Sequence, residues 1–193
     1  MRNGKLGFGI LGCGVIAPTH REAIEANAEG EIVAVCDIDE DKGKAFAEES
    51  KVMKFYNDYE KMVADPDVDI VCICLPSGIH SDGAIAAAQA GKHVFCEKPL
   101  DINRDRMTDM IQTCRDQNVK LGCVFQSRTS PDMIRVHNAI KDGILGPMTL
   151  GDGYMKDYRS QAYYNSAGWR GTWALDGGGA LMNQGVHGVD LLL

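Results

Sequence analysis

The first 125 residues alternate between short apolar segments and segments with helical patterning, and this alternation limits the possible folds more than any other feature. The apolar segments are rich in β-branched residues and are predicted to form strands. They are Leu6–Leu11, Ile32–Cys36, Ile70–Leu75, His93–Cys96 and Lys120–Phe125. The predicted helices between them are Val15–Ala28, Asp41–Ser50, Tyr59–Ala64, His80–Ala90 and Asp101–Gln117. Because strands that are apolar almost throughout are buried on both faces, the pattern predicts a doubly wound α/β fold around a parallel sheet.

The patterning changes near Gln126, where we place a domain boundary. We expect residues 1–125 to form a first domain and residues 126–193 to belong to a second one. In the second part, residues 130–141 begin with a Ser-Pro pair and are predicted to form a helix that starts at the proline. Met148–Met155 is predicted to be a strand.

Composition excludes several classes of protein. The chain has a formal net charge of -7 and no cluster of lysine and arginine, so no nucleic-acid partner is expected. The apolar segment Leu6–Leu11 is too short for a signal peptide or a membrane span, so no membrane partner is expected either. The 7 cysteines include no CxxC pair and no histidine at metal-ligand spacing. We therefore expect reduced thiols, no bound metal and a cytoplasmic protein.

A glycine-rich turn follows the first predicted strand. Gly12-Cys13-Gly14-Val15-Ile16-Ala17 lies between a predicted strand and a predicted helix, the context of a dinucleotide-binding fingerprint. In this fingerprint the first glycine allows a tight turn, the second lets the backbone approach a pyrophosphate, and a small third residue permits close helix packing. The overlapping stretch Gly7–Gly12 also matches GxGxxG, but no segment long enough to be a strand precedes it. We predict that Gly12, Gly14, Val15 and Ile16 bind the phosphates of a dinucleotide.

An acidic residue at the end of the second predicted strand supports this interpretation. Asp37 follows Ala17 by about 20 residues, the spacing expected of a carboxylate that binds the ribose 2′-hydroxyl. The competing register has Ile32 at that offset. Further acids at 39–41 would repel a 2′-phosphate, so the predicted cofactor is NAD, with NADP less favoured. The alternative is that Asp37 is only a solvated carboxylate at a strand end.

A lysine stands directly after the predicted strand His93–Cys96, within Glu97-Lys98-Pro99. In an open α/β sheet the carboxyl ends of the strands line the ligand crevice. A lysine there can direct its ammonium at the cofactor and substrate, and the adjacent proline restricts the local backbone. Taken alone, a lysine at a strand end is more often a surface charge.

Three motifs together resemble the Gfo/Idh/MocA oxidoreductase family. They are Leu75-Pro76-Ser77-Gly78-Ile79-His80, Glu97-Lys98-Pro99 and the stretch GGGALMNQGVHGVD from Gly177 to Asp190. They occur in the family's order, and the resemblance extends over the whole chain. It implies a dehydrogenase with a Rossmann domain that binds NAD(P) and a second α/β domain with a large, open, mostly antiparallel sheet. It also implies sugars, sugar nucleotides or inositols as substrates, and a homo-oligomer for the full-length protein.

The resemblance implies roles for individual residues. Lys98 corresponds to the family's catalytic lysine and His187 to its catalytic histidine. Contacts with the cofactor are implied for Leu75, Ser77, His80, Glu97, Lys98, Trp169 and Arg170. Asn183 takes a catalytic position where many members carry an aspartate, whose charge can stabilise an imidazolium. An asparagine there is similar to a sugar-nucleotide-dehydrogenase-like subset, and it leaves open whether Lys98 or His187 is the base.

These observations predict an NAD-dependent enzyme that transfers a hydride from a secondary hydroxyl of a sugar, sugar nucleotide or inositol-like substrate to NAD. One alternative is an NAD-dependent glycosidase that oxidises its substrate transiently, as some relatives of the family do. Another is a non-catalytic dinucleotide-binding regulator, although such a protein needs neither Lys98 nor His187.

The chain ends on Leu191-Leu192-Leu193, within a predicted amphipathic helix, whereas natural termini are usually polar. This ending predicts that residues 126–193 are only the first part of the second domain. We therefore expect residues 1–193 alone to bind NAD without turnover.

Overall fold

The structure, a computed structural model, describes residues 4–193. The chain divides into two compact units, of which the first ends at Cys123 and the second comprises Val124–Leu193. In the part of the chain that is described, no helix is both long and apolar enough to cross a membrane.

The first unit is built on a parallel sheet, which in the described residues has six strands. The strands are β1 (Leu6–Leu11), β2 (Gly30–Cys36), β3 (Phe55–Tyr56), β4 (Ile70–Ile73), β5 (His93–Cys96) and β6 (Leu121–Cys123). Their order across the sheet is β3-β2-β1-β4-β5-β6, so the order reverses between β1 and β4. This order confirms the predicted doubly wound parallel fold and creates a switch point at which such sheets bind ligands. Strand β3 was not predicted, because a two-residue strand has no detectable periodicity.

Helices connect successive strands of this sheet. They are α1 (Ala17–Glu25), α2 (Glu40–Glu49), α3 (Tyr59–Val63), α4 (His80–Gln89) and α5 (Arg104–Asp116). Side-chain caps set where several of them begin: Asp39 accepts a hydrogen bond from the N–H of Lys42 in α2, and Asn103 caps α5. Helix α5 therefore starts three residues later than the predicted position at Asp101, whose side chain binds loop backbone instead.

The core lies on both faces of the sheet, because adjacent side chains of a strand point to opposite sides. In β1, Ile10 and Leu11 are both buried, yet they pack into different apolar clusters. In β4, Val71 and Ile73 join the cluster of Leu11, while Cys72 between them joins that of Ile10. Burial on both faces is the physical reason for the nearly continuous apolar sequence of these strands.

The second unit is helical in its regular parts. It contains α6 (Pro131–Lys141), α7 (Gln161–Asn165), a π-helical turn (Leu181–Gly185) and α8 (Val186–Leu192). The predicted start of α6 is confirmed, since Ser130 accepts a hydrogen bond from the N–H of Met133. The predicted strand Met148–Met155 is wrong, because residues 148–155 form no strand in the structure. A strand needs a neighbouring strand to pair its backbone groups, and the described residues of this unit offer none.

Candidate functional site

The turn after β1 closes against the end of β4, at the switch point of the sheet. Gly12 has a φ of +94°, a conformation that residues with a side chain rarely adopt. A Cβ at Gly12 would also lie 2.7 Å from the carbonyl oxygen of Cys74. Glycine is therefore required at this position both by its backbone conformation and by the close approach of β4.

Gly14, the second glycine of the turn, has no close neighbour beside its backbone. A Cβ at Gly14 would meet no atom within 4 Å, so the space beside this backbone is open. Among the described residues, the backbone N–H groups of Gly14, Val15 and Ile16 have no protein acceptor. Helix α1 begins directly afterwards at Ala17, which is fully buried. Open space beside unpaired N–H groups at a helix start fits a pyrophosphate.

The competing glycine register lies inside a strand. Gly7 and Gly9 belong to β1, and a Cβ at Gly7 would collide with the backbone oxygen of Asp67. These glycines therefore serve packing within the sheet. The glycine turn between β1 and α1 begins at Gly12, the register that the sequence predicts to bind a dinucleotide.

Asp37 connects the end of β2 to this turn. Its Oδ2 accepts a hydrogen bond of 2.8 Å from the N–H of Cys13, and its Oδ1 accepts one of 3.0 Å from the N–H of Asp39. The Nζ of Lys42 lies 2.9 Å from the same Oδ2. Burial alone would raise the pKa of Asp37, but these hydrogen bonds and the lysine ammonium hold it below its ordinary value. Asp37 is thus a fixed anion rather than a solvated strand-end carboxylate.

The loop after β4 is packed closely against the loop after β5. Ser77 is buried in a short 3₁₀ turn, and Leu75 is partly buried. His80 is 1% exposed, with its Nδ1 at 2.7 Å from the carbonyl oxygen of Pro99 and its Nε2 at 2.8 Å from that of Leu75. Both ring nitrogens therefore contact protein backbone, and this places His80 between the two loops.

The segment after β5 contains the predicted catalytic lysine. Glu97 and Lys98 are partly buried, and Pro99 is buried. The Glu97 Oε1 lies 2.9 Å from the Nε2 of His20, and its Oε2 accepts a hydrogen bond of 3.2 Å from the N–H of Lys98. Burial favours a higher pKa for Glu97, but the hydrogen bond to His20 and the neighbouring charges hold its pKa below the ordinary value.

Two buried residues near this segment were not predicted from the sequence. His20 lies on α1, and Asp101 accepts hydrogen bonds from the N–H groups of Ser81, Ile102 and Asn103. Arg106 adds an ion pair at 3.4 Å to the same carboxylate. Neither residue has a local signal in the sequence, because His20 lies between Thr19 and Arg21 and Asp101 lies close to Asn103 and Arg104.

In the second unit, Asn183 lies in the π-helical turn and His187 lies in α8. The Nδ2 of Asn183 donates a hydrogen bond of 2.7 Å to Asp176 Oδ1, and Asp176 Oδ2 accepts another of 2.8 Å from the N–H of Gly171. Asp176 is 2% exposed. The ring of His187 packs edge-on against Phe125, with centroids 6.2 Å apart. π-Helical turns occur frequently at functional sites.

The predicted pair Trp169 and Arg170 forms part of an aromatic cluster. The guanidinium of Arg170 lies 4.3 Å from the ring centroid of Tyr163 and 4.9 Å from that of Trp169. Next to this cluster is a cavity of about 530 Å³, whose lining includes Arg159, Tyr163 and Asn183. A pocket lined by aromatic and polar side chains can bind a small polar molecule.

Comparison with known proteins identifies the family to which both units correspond. Residues 6–125 match "Oxidoreductase family, NAD-binding Rossmann fold", and residues 133–193 match "GFO/IDH/MocA C-terminal domain".

Individual relatives are dehydrogenases. The chain is 33% identical to myo-inositol 2-dehydrogenase of Thermotoga maritima over 139 residues, which are 72% of this chain and 42% of the relative. It is 38% identical to D-xylose 1-dehydrogenase (NADP(+)) 2 of Haloferax volcanii over 125 residues, 64% of this chain and 38% of the relative. The crystal structure of the WlbA dehydrogenase from Bordetella pertussis, in complex with NADH and UDP-GlcNAcA, is similar with a TM-score of 0.89 at 35% identity. That match covers 97% of this chain and 57% of the other.

The chain spans about half the length of these relatives. The family match nevertheless includes both units and the strand ends that carry Gly12, Asp37 and Lys98. The chain therefore belongs to the Gfo/Idh/MocA family of oxidoreductases.

Proposed function

We propose that the protein is an NAD-dependent dehydrogenase that oxidises a secondary hydroxyl of a sugar-type substrate. One observation carries the proposal: the turn at Gly12, the anion Asp37 and the residue Lys98 follow the carboxyl ends of β1, β2 and β5 and so lie at the same edge of the sheet. This is the edge at which doubly wound sheets bind ligands.

The cofactor site proposed for the first unit fits a dinucleotide. The open space at Gly14 and the unpaired N–H groups beside it would receive the pyrophosphate, and Asp37 would bind the adenine ribose. A 2′-phosphate would approach the Asp37 carboxylate, which supports NAD over NADP. The ammonium of Lys42 lies beside that carboxylate and reduces this repulsion. One relative is named for NADP, so titration with both cofactors is the test of this preference.

The proposed chemistry divides between the cofactor and the protein. NAD supplies the hydride acceptor when it is bound. The protein must then take the hydroxyl proton, and Lys98 and His187 are the candidates for this step. A lysine ammonium can instead stabilise the developing alkoxide. Asn183 is neutral and cannot stabilise an imidazolium by charge, so we assign it to substrate or His187 positioning.

We propose sugar nucleotides as the first substrates to test. The similar structure with a TM-score of 0.89 has UDP-GlcNAcA bound, and the resemblance of Asn183 to a sugar-nucleotide-dehydrogenase-like subset supports the same substrate class. The cavity beside Asn183 is lined by Arg159, Asp157 and Asp176 as well as tyrosines, and it would suit a polar part of such a substrate. Inositols and free sugars are the next classes, because relatives are named for them.

Further properties of the whole protein are proposals that rest on the family resemblance. They are a homo-oligomeric state, an open antiparallel sheet in the second domain, and a boundary near Gln126 that separates cofactor binding from substrate binding. A cytoplasmic location is supported by the cysteines, all of which are free thiols and most of which are buried.

The test is a substrate screen with the protein as its natural gene encodes it. Sugar nucleotides, sugars and inositols are incubated with NAD, and reduced nicotinamide is followed by its absorbance. A dehydrogenase gives net NADH in proportion to oxidised sugar. A glycosidase that oxidises transiently releases its aglycone without net NADH, and a regulator binds NAD without either product.

A further inference from the structure

We infer that His20 is a positioning residue for Lys98: it fixes the lysine segment through Glu97, while His80 fixes the same segment through Pro99. The inference rests on the proposed function of Lys98. It concerns the first unit alone and assigns roles to two buried histidines, of which His20 uses its Nε2 and His80 both ring nitrogens.

The contact between His20 and Glu97 is buried and specific. His20 is 6% exposed, the Glu97 side chain is 12% exposed, and the Nε2–Oε1 distance is 2.9 Å. The ring of Phe95 packs edge-on against the imidazole, with centroids 5.8 Å apart, and so limits its rotation. A hydrogen bond to a carboxylate in such surroundings is stronger than one at the surface.

Glu97 passes this restraint to the backbone of the lysine. Its second carboxylate oxygen accepts the Lys98 N–H at 3.2 Å. Both carboxylate oxygens of Glu97 therefore have a partner. Oε1 contacts His20 on α1, and Oε2 accepts the backbone N–H of Lys98. Without His20, the carboxylate would be free to rotate away from the Lys98 N–H.

On the other side of the lysine, His80 contacts the backbone of Pro99. Its Nδ1 lies 2.7 Å from the Pro99 carbonyl oxygen, and its Nε2 lies 2.8 Å from that of Leu75. Asp101 and Glu97 are the nearby acids that face this imidazole. Both chain neighbours of Lys98 thus contact buried imidazoles that come from different helices, and a neutral His80 has one N–H to donate to one of its two carbonyl oxygens.

The position of His20 on α1 also links the lysine segment to the proposed cofactor site. His20 lies in the first turn of α1, the helix that starts directly after the proposed pyrophosphate turn. The same rigid element therefore holds the cofactor-binding backbone and the lysine segment in a fixed relation. Lysine has a long, flexible side chain, and misplacement by about 1 Å can lower a rate by about 10²-fold. A fixed backbone at Lys98 is a requirement for its proposed role.

A matched pair of substitutions isolates the contact. In His20→Gln the amide nitrogen replaces Nε2 and can still donate to Glu97, whereas the shorter side chain of His20→Asn cannot reach it. We expect kcat to fall by roughly tenfold or more in His20→Asn and by less than about threefold in His20→Gln. The Kd for NAD and the KM for substrate should change by less than about threefold in both. His137→Asn, on the exposed surface of α6, is the control.

A second measurement needs neither a variant nor a substrate. In the natural protein, the Lys98 amide proton should exchange at least about tenfold more slowly than in an unstructured peptide, because Glu97 accepts it in a buried site. This measurement remains decisive if His20→Asn does not fold.

The outcomes separate this inference from the proposed function. Equal kcat in His20→Asn and His20→Gln, or an unprotected Lys98 amide, would overturn the positioning role. If Lys98→Ala leaves turnover intact, the proposed function of Lys98 fails, and the inference fails with it. Loss of kcat in Lys98→Ala together with an unchanged His20→Asn removes the inference and leaves the proposed function in place.

Discussion

Asp37 combines features that decide which cofactor a Rossmann domain accepts. It is 7% exposed, it accepts two backbone hydrogen bonds, and it pairs with the Lys42 ammonium. Because the carboxylate is fixed and stays ionised, it can bind a ribose diol, and it opposes a phosphate at the same place. Lys42 is 46% exposed on its side chain and can turn away from Asp37.

We therefore expect the protein to bind NAD more tightly than NADP. Asp37→Ala should reduce the ratio of the two affinities by about tenfold, which corresponds to about 1.4 kcal/mol of binding free energy. Calorimetric titration with both cofactors measures this, and Asp109→Ala, an exposed acid on α5, is the control. Equal affinities for NAD and NADP in the natural protein would contradict the role of Asp37.

Asp101 predicts a dependence of stability on pH. Burial alone would raise its pKa, but hydrogen bonds from Ser81 and Asn103 and the charge of Arg106 hold the pKa below its ordinary value. A carboxyl group whose pKa is lower in the folded state stabilises the fold above its unfolded pKa, and this contribution is lost as the pH falls through the folded pKa.

Asp101→Asn should therefore lower the free energy of unfolding by about 1–3 kcal/mol at neutral pH. The difference from the natural protein should shrink below about pH 4, where the carboxyl of the unfolded chain is protonated. Urea unfolding at a series of pH values measures both effects. A difference that stays constant over this range would show that the charge of Asp101 has no part in stability.

At the scale of elements, the turn between β1 and α1 contains a matched pair of glycines. Gly12→Ala places a methyl group 2.7 Å from the Cys74 carbonyl oxygen, at a position that the fold holds at a φ of +94°. We therefore expect the substitution to lower the free energy of unfolding by about 1–3 kcal/mol. Gly14→Ala places its methyl group in open space, so the free energy of unfolding should change by less than about 1 kcal/mol.

Gly14→Ala should weaken NAD binding even though it leaves stability almost unchanged. The Gly14 methyl would occupy the space proposed for the pyrophosphate, and we expect NAD affinity to fall about tenfold or more. Calorimetry and urea unfolding on both variants test this. Normal NAD affinity in a stable Gly14→Ala protein would place the pyrophosphate elsewhere.

The π-helical turn of the second unit gives a prediction about charge. Asn183→Asp would replace the donor that faces Asp176 with a second carboxyl group, and both groups cannot be ionised at hydrogen-bond distance without a large cost. One carboxyl pKa of the pair should rise above its unfolded value, so the variant should lose stability as the pH rises above about 4. Asn183→Ala loses the hydrogen bond without this pH dependence. If the free energy of unfolding had the same pH dependence in both variants, the contact between residue 183 and Asp176 would be contradicted.

Elements could be predicted from the sequence where local residues determine them. The predicted bounds of β1 match the observed ones, because its short apolar segment ends at a glycine turn. The Ser130 cap fixed the start of α6 in the same way. The strand predicted at Met148–Met155 is wrong, because a strand depends on a partner that its own sequence does not specify. His20 was missed for a similar reason: its partner Glu97 is distant in the sequence, and helix patterning does not reveal it.

At the scale of the whole molecule, the first unit brings residues from separate parts of the chain to one edge of the sheet. Gly12, Asp37, Ser77 and Lys98 all follow strands that run in the same direction, and this topology places them along one edge of the sheet, on both sides of the switch point between β1 and β4. The sequence motifs predicted these positions, but the ion pair of Asp37 with Lys42 and the bridging position of His80 emerged only from the structure.

The proposed dehydrogenase activity requires Lys98 to act on a substrate beside NAD bound at the Gly12 turn. The most direct test is the rate of NAD reduction by the natural gene product and by Lys98→Ala, with a substrate found in the screen. Lys61→Ala, an exposed lysine on α3, is the control. We predict that turnover falls by about 10²-fold or more in Lys98→Ala, while NAD affinity changes by less than about threefold. Near-normal turnover in Lys98→Ala would contradict the account.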